Sequence, residues 1–163
     1  MQGIRAVIIT VSDACSRGER EDLSGQALFE LLTESGATIV DRQVLADDPD
    51  QIVESLNQFA RRQDVNLILT TGGTGLGPRD NTPEATRRVI EREAQGLSEA
   101  MRAETLKQTP MAMISRGVSG VCSGALIINL PGSPKAVRES FVVIKPVLSH
   151  AIDLLEGRTA HNP

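Results

Sequence analysis

The residues best suited to chemistry lie in one run, Thr71-Gly72-Gly73-Thr74-Gly75-Leu76-Gly77-Pro78-Arg79-Asp80-Asn81-Thr82-Pro83-Glu84. Its four glycines leave backbone N–H groups uncovered, so a large anion can approach the main chain closely. Thr82 suits a helix N-cap and Pro83 a first helical position, so the loop is expected to empty into a helix N-terminus, which favours phosphate. Arg79 offers a guanidinium for phosphate oxygens, and Asp80 a hard carboxylate oxygen for magnesium. Together these residues describe a phosphate site that does chemistry. Two familiar phosphate motifs are excluded. No Gly-Lys-Ser/Thr closes the run, so it is not a P-loop. Gly73 and Gly75 begin a dinucleotide fingerprint, but Pro78 stands where its third glycine belongs.

Other segments admit two readings each. Asp47-Asp48 precedes Pro49, with Gln51 three positions after Asp48. That spacing reads first as a helix cap with its capping-box partner; the alternative, which a cap's spare oxygen does not exclude, is a second carboxylate for a metal held between protein and phosphates. Ser115-Arg116-Gly117 follows the apolar stretch Met111 to Ile114. Arg116 is either a solvated surface residue or a bidentate phosphate contact. Pro131-Gly132-Ser133-Pro134 is either a plain strand-to-helix turn or a turn whose backbone meets a ligand. Asp22-Leu23-Ser24-Gly25 reads first as a helix start. Cys15, near Asp13, reads as a small residue, with a reactive thiol as the alternative. His150 and His161 have no partners nearby in sequence and carry no assignment.

The elements that must position these residues follow from the apolar pattern. Continuous apolar runs predict strands over 6–11, 65–70 and 125–130, and a less apolar segment over 38–45 reads as a further strand at a sheet edge. Helical spacing predicts helices over 23–34, 49–62, 82–94, 98–107 and 135–155, the last open to disturbance at Pro146. Strand–helix alternation with buried strands implies an α/β fold of three layers, αβα, around a mostly parallel sheet. In such sheets ligands sit beyond the carboxyl ends of the strands. Three turns should then share one rim: Ser12-Asp13, the glycine loop, and the turn from Asn129 to Lys135. One cleft could gather Ser12, Asp13, the glycine loop, Asp80, Ser133 and Lys135. The tail from Gly157 is expected to fray.

The chain of 163 residues fits one domain, residues 1–163, and its 40% apolar content can fill a core. A formal charge of −4 and only three aromatics (Phe29, Phe59 and Phe141) argue against a nucleic-acid partner. No stretch approaches a membrane span, and the N-terminal apolar run is too short for a signal segment. The two cysteines, Cys15 and Cys122, show neither metal spacing nor a disulfide framework. The expectation is a soluble cytoplasmic protein with no membrane partner.

These motifs, taken in order, resemble the molybdopterin adenylyltransferases of molybdenum-cofactor biosynthesis, a family related to the N-terminal domain of gephyrin. The similarity runs from Thr10-Val11-Ser12-Asp13 to the final helix. It is carried by Thr71-Gly72-Gly73-Thr74-Gly75, Pro78-Arg79-Asp80 with Thr82-Pro83-Glu84-Ala85-Thr86, Ser115-Arg116, and Ile128-Asn129-Leu130-Pro131-Gly132-Ser133-Pro134. The resemblance implies the molybdenum-cofactor-biosynthesis-protein fold. It implies transfer of AMP from Mg-ATP to the molybdopterin phosphate, with magnesium bound and pyrophosphate released. It puts the functional, metal-binding aspartates at Asp48 and Asp80, with Asp47 adjacent to the first. Gly72, Gly73, Thr74, Gly75, Arg79, Thr82 and Glu84 would line the nucleotide-phosphate site. Ser115, Arg116, Pro131, Gly132 and Ser133 would contact the pterin or its phosphate, and Ser12 and Asp13 would complete the substrate site. A homotrimer and transient contact with other proteins of the pathway are also implied. The alternative is a non-catalytic molybdopterin-binding or scaffold paralogue of the same fold; retention of Arg79, Asp80, Thr82, Pro83 and Glu84 favours the enzyme.

Overall fold

The structure is a computed structural model that describes residues 1–158. Residues 159–163, including His161 and most of the tail expected to fray, lie outside the described residues. In chain order the elements are β1 (Arg5–Val11), α1 (Asp13–Ser16), α2 (Leu23–Glu34), β2 (Thr38–Leu45), α3 (Pro49–Ala60), β3 (Leu67–Thr71), α4 (Thr82–Arg87), β4 (Arg92–Glu93), α5 (Gln95–Leu106), a 3₁₀ turn (Pro110–Ile114), β5 (Ser119–Cys122), β6 (Ala125–Leu130) and α6 (Pro134–Leu155). One sheet holds all six strands in the order β2-β1-β3-β6-β5-β4. The four apolar strands pair in parallel, while β5 runs antiparallel to β6 and β4 antiparallel to β5.

The period of two along each strand splits the core into two layers. Ala6, Ile8, Leu67, Leu69, Leu126 and Ile128 face α2, α5 and α6, where Leu28, Leu32, Met101, Phe141, Ile144 and Leu148 meet them. Val7, Ile9, Ile68 and Ile127 face the other way, onto Ile52, Leu56 and Phe59 of α3 and Ala85 of α4. Apolar residues on both faces of each central strand are why the sequence shows continuous apolar runs there. No helix among the described residues is long and apolar enough to cross a membrane.

Three expectations need correction. The helix expected over 82–94 ends at Arg87, because the chain beyond it is captured by the sheet. Glu91 N–H donates to the Val121 carbonyl and Ala94 N–H to the Ser119 carbonyl, each at 2.8 Å, and Arg92–Glu93 becomes the edge strand β4. Its partner β5, Ser-Gly-Val-Cys, had no strand expectation, being short and mostly small residues. The helix expected at 98–107 begins earlier, at Gln95. Pro146 leaves α6 continuous: it sits on the exposed face, one turn after the exposed Val142, whose carbonyl it cannot bond.

Candidate active site

The parallel strands end in register, with Val11 opposite Leu45, Thr10 opposite Thr71, and Thr71 opposite Leu130. Their four following turns share one rim. Three are those the sequence indicated; the fourth, Ala46-Asp47-Asp48 after β2, joins them.

The glycine loop is pinned to the sheet by close approach. At Gly72, φ is 96° and an added Cβ would lie 2.2 Å from the Val11 carbonyl oxygen. At Gly73, φ is 64° and the Cβ would lie 2.3 Å from Thr82 Oγ1. Only glycine tolerates both the sign of φ and the contact. Thr82 is fully buried and points at this backbone: its hydroxyl donates to the Gly72 carbonyl (2.9 Å) and its N–H to the Gly73 carbonyl (3.1 Å). The N-cap of α4 is Asn81, without a side-chain cap bond, and Thr82 and Pro83 are the first two helical residues. Thr82 therefore braces the loop and does not face a ligand.

Asn129 is a functional-region residue to which sequence reasoning gave no role. Its amide donates to Thr70 Oγ1 and Thr86 Oγ1, both at 2.9 Å, and its carbonyl oxygen accepts from Val118 N–H at 3.2 Å. Fully buried amides need such saturation. The available signal was a lone polar residue inside the run Ala-Leu-Ile-Ile-Asn-Leu.

The two adjacent aspartates divide their work. Asp48 is the N-cap of α3, accepting from Asp50 N–H (2.9 Å) and Gln51 N–H (3.1 Å). It does not line the cleft, contrary to the placement expected for it. Asp47 does. Its Oδ2 accepts from Asp13 N–H at 2.8 Å, while Asp13 Oδ1 accepts from Asp47 N–H at 3.0 Å, a reciprocal clasp between the turns after β1 and β2. Asp47 Oδ1 lies beside Gly73 and takes no hydrogen bond among the described residues. Burial pushes the Asp47 carboxyl above its ordinary range, and the charges of Asp13 and Asp80 add to that. Across the loop, Asp80 Oδ2 accepts from Gly77 N–H at 2.8 Å, and no hydrogen bond among the described residues uses its Oδ1.

The arginines are engaged elsewhere. Arg79 forms a bidentate pair with Asp13, its Nη2 2.9 Å from Oδ1, and reaches the Asp47 carbonyl. The Arg79 hydrogen bond holds the Asp13 carboxyl below its ordinary range. Arg116 donates to the Gly75 carbonyl (2.7 Å) and the Asp80 carbonyl (2.6 Å), and pairs with Glu84. Burial, the largest single influence, raises the Glu84 carboxyl, but the Arg116 hydrogen bond, a backbone hydrogen bond and the charges of Arg116 and Arg87 together bring it below its ordinary range. Arg79, Glu84 and Arg116 thus brace the loop from outside the cleft. Lys135 is exposed, with its ammonium 3.7 Å from Glu139, and lines neither of the two cavities at this rim.

Two cavities meet at Gly73, Asp80 and Gly132. The smaller, about 230 Å³, is lined by Ser12, Cys15, Arg20, Asp47 and Gly72. The larger, about 380 Å³, is lined by Thr74, Gly75, Ser115, Pro131 and Ser133 together with the apolar side chains of Met101, Met111 and Ile114. Ser12 and Ser133 also cap α1 and α6, accepting from Cys15 N–H (3.3 Å) and Ala136 N–H (3.2 Å). The arrangement can hold a cation and the polyanion it neutralises beside the carboxylates on one side, and a flat, partly apolar group on the other.

Residues 7–150 match the domain family described as "Probable molybdopterin binding domain". The chain belongs to this family. It is 40% identical over 159 residues to a molybdopterin adenylyltransferase of Helicobacter pylori, covering 96% of this chain and 90% of that protein. It is 43% identical over 156 residues to the molybdenum cofactor synthesis protein cinnamon of Drosophila melanogaster, covering 95% of this chain and 26% of that much longer relative. The solved structure of the molybdopterin biosynthesis enzyme MoaB of Thermus thermophilus matches with a TM-score of 0.89 at 49% identity, covering 94% of this chain and 97% of that one. In this member of the molybdopterin-binding family, both cavities open at the glycine loop and share Asp80.

Proposed function

We propose that this protein transfers the adenylyl group of ATP to the terminal phosphate of molybdopterin. A phosphate oxygen of the pterin attacks the α-phosphorus, the bond to the β-phosphate oxygen breaks, and pyrophosphate leaves. The observation that carries the reading is the placing of Asp47 and Asp80 on either side of one glycine loop, each with an oxygen unshared, where the two cavities meet. Among the described residues no three metal-ligating side chains cluster into a full cage. That donor set fits magnesium, which takes one or two carboxylates and fills its remaining positions with waters and phosphate oxygens. Bound there, the ion would neutralise phosphate charge.

The chain's own residues supply alignment, which such transfers need more than covalent help. Asp80, held by the Gly77 amide, and Asp47, held by the Asp13 amide, would hold the magnesium that offsets the charge of the triphosphate. Asp47 takes the role expected of Asp48, whose side chain is spent on α3. Backbone of Gly72 and Gly73 meets the phosphates in the smaller cavity, with Arg20 at its wall as a cation. The larger cavity takes the pterin against Ser115, Gly132 and Ser133. The exposed Met111, Met113, Ile114 and Leu106 support the homotrimer that the resemblance implies. Two free thiols are in keeping with a reducing cytoplasm.

The test incubates purified protein with molybdopterin and Mg-ATP and separates the products by chromatography, with EDTA as control. Magnesium-dependent adenylylated pterin is the expected result. Pterin binding without product would assign the chain to the non-catalytic branch of the fold.

A further inference from the structure

Arg116 lies on the far side of the glycine loop from the carboxylate cavity. It borders a depression beside Arg87 and Gln95 that adjoins the larger cavity at Ser98, Arg102, Ser115 and Gly117, and it lines neither of the two cavities that contain Asp80. Its guanidinium nevertheless reaches both ends of the segment that carries Asp80. Nε takes the Gly75 carbonyl, one terminal nitrogen the Asp80 carbonyl, and the other Glu84. Its own backbone is fixed on both sides: Arg116 N–H donates to the Thr74 carbonyl at 2.9 Å, and Arg102 holds the Gly117 carbonyl at 2.9 Å. Within the segment, Asp80 N–H donates to the Gly77 carbonyl at 3.0 Å and Asp80 Oδ2 accepts from Gly77 N–H. The segment from Gly75 to Asp80 is thus a closed bight with two external fastenings: the Arg79–Asp13 pair, which acts through a side chain, and the Arg116 fork, which alone takes the carbonyls at both of its ends and which no single shorter side chain can replace.

We infer that Arg116, tensioned by Glu84, is a positioning residue that fixes the direction of the Asp80 carboxylate, and that it is not a phosphate ligand. Two carbonyls fastened at 2.7 and 2.6 Å set the chord of the bight. The chord sets where Gly77 N–H points, and that amide sets which Asp80 oxygen is left for the metal–phosphate site. Glu84 holds the fork in plane and balances its charge, so the cation is not available to a ligand across the loop. For its kinetic consequences the inference rests on the adenylyl-transfer reading; its structural consequence stands apart from that reading.

The test uses full-length Arg116→Gln and Glu84→Gln. Three quantities are measured: hydrogen exchange at the Gly77 and Asp80 amides, AMP affinity in EDTA by calorimetry, and turnover against magnesium. Arg116→Gln is expected to speed exchange at those amides about tenfold or more, to leave AMP affinity within about twofold, and to lower kcat about tenfold or more with a higher magnesium requirement. Glu84→Gln, which keeps both carbonyl bonds, should show the same pattern more weakly and serves if Arg116→Gln fails to fold. AMP binding weakened about tenfold with unchanged amide exchange would make Arg116 a phosphate ligand and overturn the inference. If the wild type proves inactive, the adenylyl-transfer reading fails alone; faster exchange at Gly77 then still supports the fastening, and unchanged exchange rejects it.

Discussion

The two ends of the central sheet treat their acids in opposite ways. At the amino end, Glu156 accepts from Arg5 Nη2 and Asn66 Nδ2 with the same oxygen, each at 2.8 Å, and its other oxygen faces Arg158. The Asn66 bond comes first among the influences that pull its carboxyl below the ordinary range, against the opposing effect of burial. At the carboxyl end, Asp47 has one amide partner, a second carboxylate across the loop, and a carboxyl raised by burial. Both acids are partly buried; Glu156 closes α6 beside the start of β1, and Asp47 lies in the turn after β2. One end pairs its charge with Arg5 and Arg158, although Glu156 Oε2 takes no hydrogen bond among the described residues, and so ties the end of α6 to β1 and to the residue before β3. The other leaves negative oxygens short of partners, a cost that has a use only when something cationic arrives. The difference locates the site without reference to any relative.

The largest effect is expected from breaking the working end alone. Asp80→Asn should lower kcat about 10²–10³-fold while leaving the melting temperature unchanged, as read by adenylylated-pterin formation beside thermal unfolding. A folded variant with wild-type turnover would remove Asp80 from the mechanism. Gly72→Ala strikes the backbone that both end and sheet share. The clash with the Val11 carbonyl should cost about 2–4 kcal/mol in urea unfolding and abolish turnover in whatever folds. Unaltered stability would mean that the loop does not make the close approach described. Asn66→Ala breaks only the satisfied end. It strands Arg5 N–H and part of Glu156, so about 2 kcal/mol of stability should be lost with kcat held within about twofold.

The smallest effect sharpens the comparison most. Because burial raises the Asp47 carboxyl above 3.8, the native state binds that proton more readily than the unfolded chain. The cost of its charge is complete above the raised value and is relieved as pH falls through it. Asp47→Asn should therefore raise the melting temperature of the ligand-free protein at neutral pH by roughly 2 °C, and the gain should shrink on acidification through that range. Asp13 runs the other way. Its carboxyl is lowered, so its contribution is present above 3.8 and fades as pH falls through the lowered value. A melting temperature lowered by Asp47→Asn at neutral pH would show that the working end is not strained.

Much of this was legible in the residues. Ala6 to Val11, Leu67 to Leu69 and Ala125 to Leu130 announce buried parallel strands, and parallel strands gather their following turns at one rim. The glycine loop declared itself by composition. What was not legible depends on partners far along the chain. Arg79 meets Asp13 across 66 positions, and Arg116 meets Gly75 and Asp80 across 41 and 36. Arg79 therefore reads as a phosphate cation, and Arg116 as either a solvated residue or a phosphate contact, while the fold spends them on carboxylate and carbonyl. Thr82 looks like a cap because threonine often is one; only the buried Gly72 carbonyl shows where its hydroxyl goes. Arg92–Glu93 carries no strand signal of its own, since β5 recruits it. Asp47 and Asp48 differ by one position, and local pattern names the cap correctly for Asp48 but says nothing of its neighbour.

That pair gives the most direct test of the account. Asp47→Asn and Asp48→Asn, assayed side by side for magnesium-dependent adenylyl transfer, differ by one residue in sequence and by the whole mechanism in role. The account predicts that Asp47→Asn loses about 10²-fold or more in kcat, while Asp48→Asn, whose amide caps α3 as well as the acid does, stays within about threefold. The reverse order, with Asp48→Asn inactive and Asp47→Asn near wild type, would contradict it.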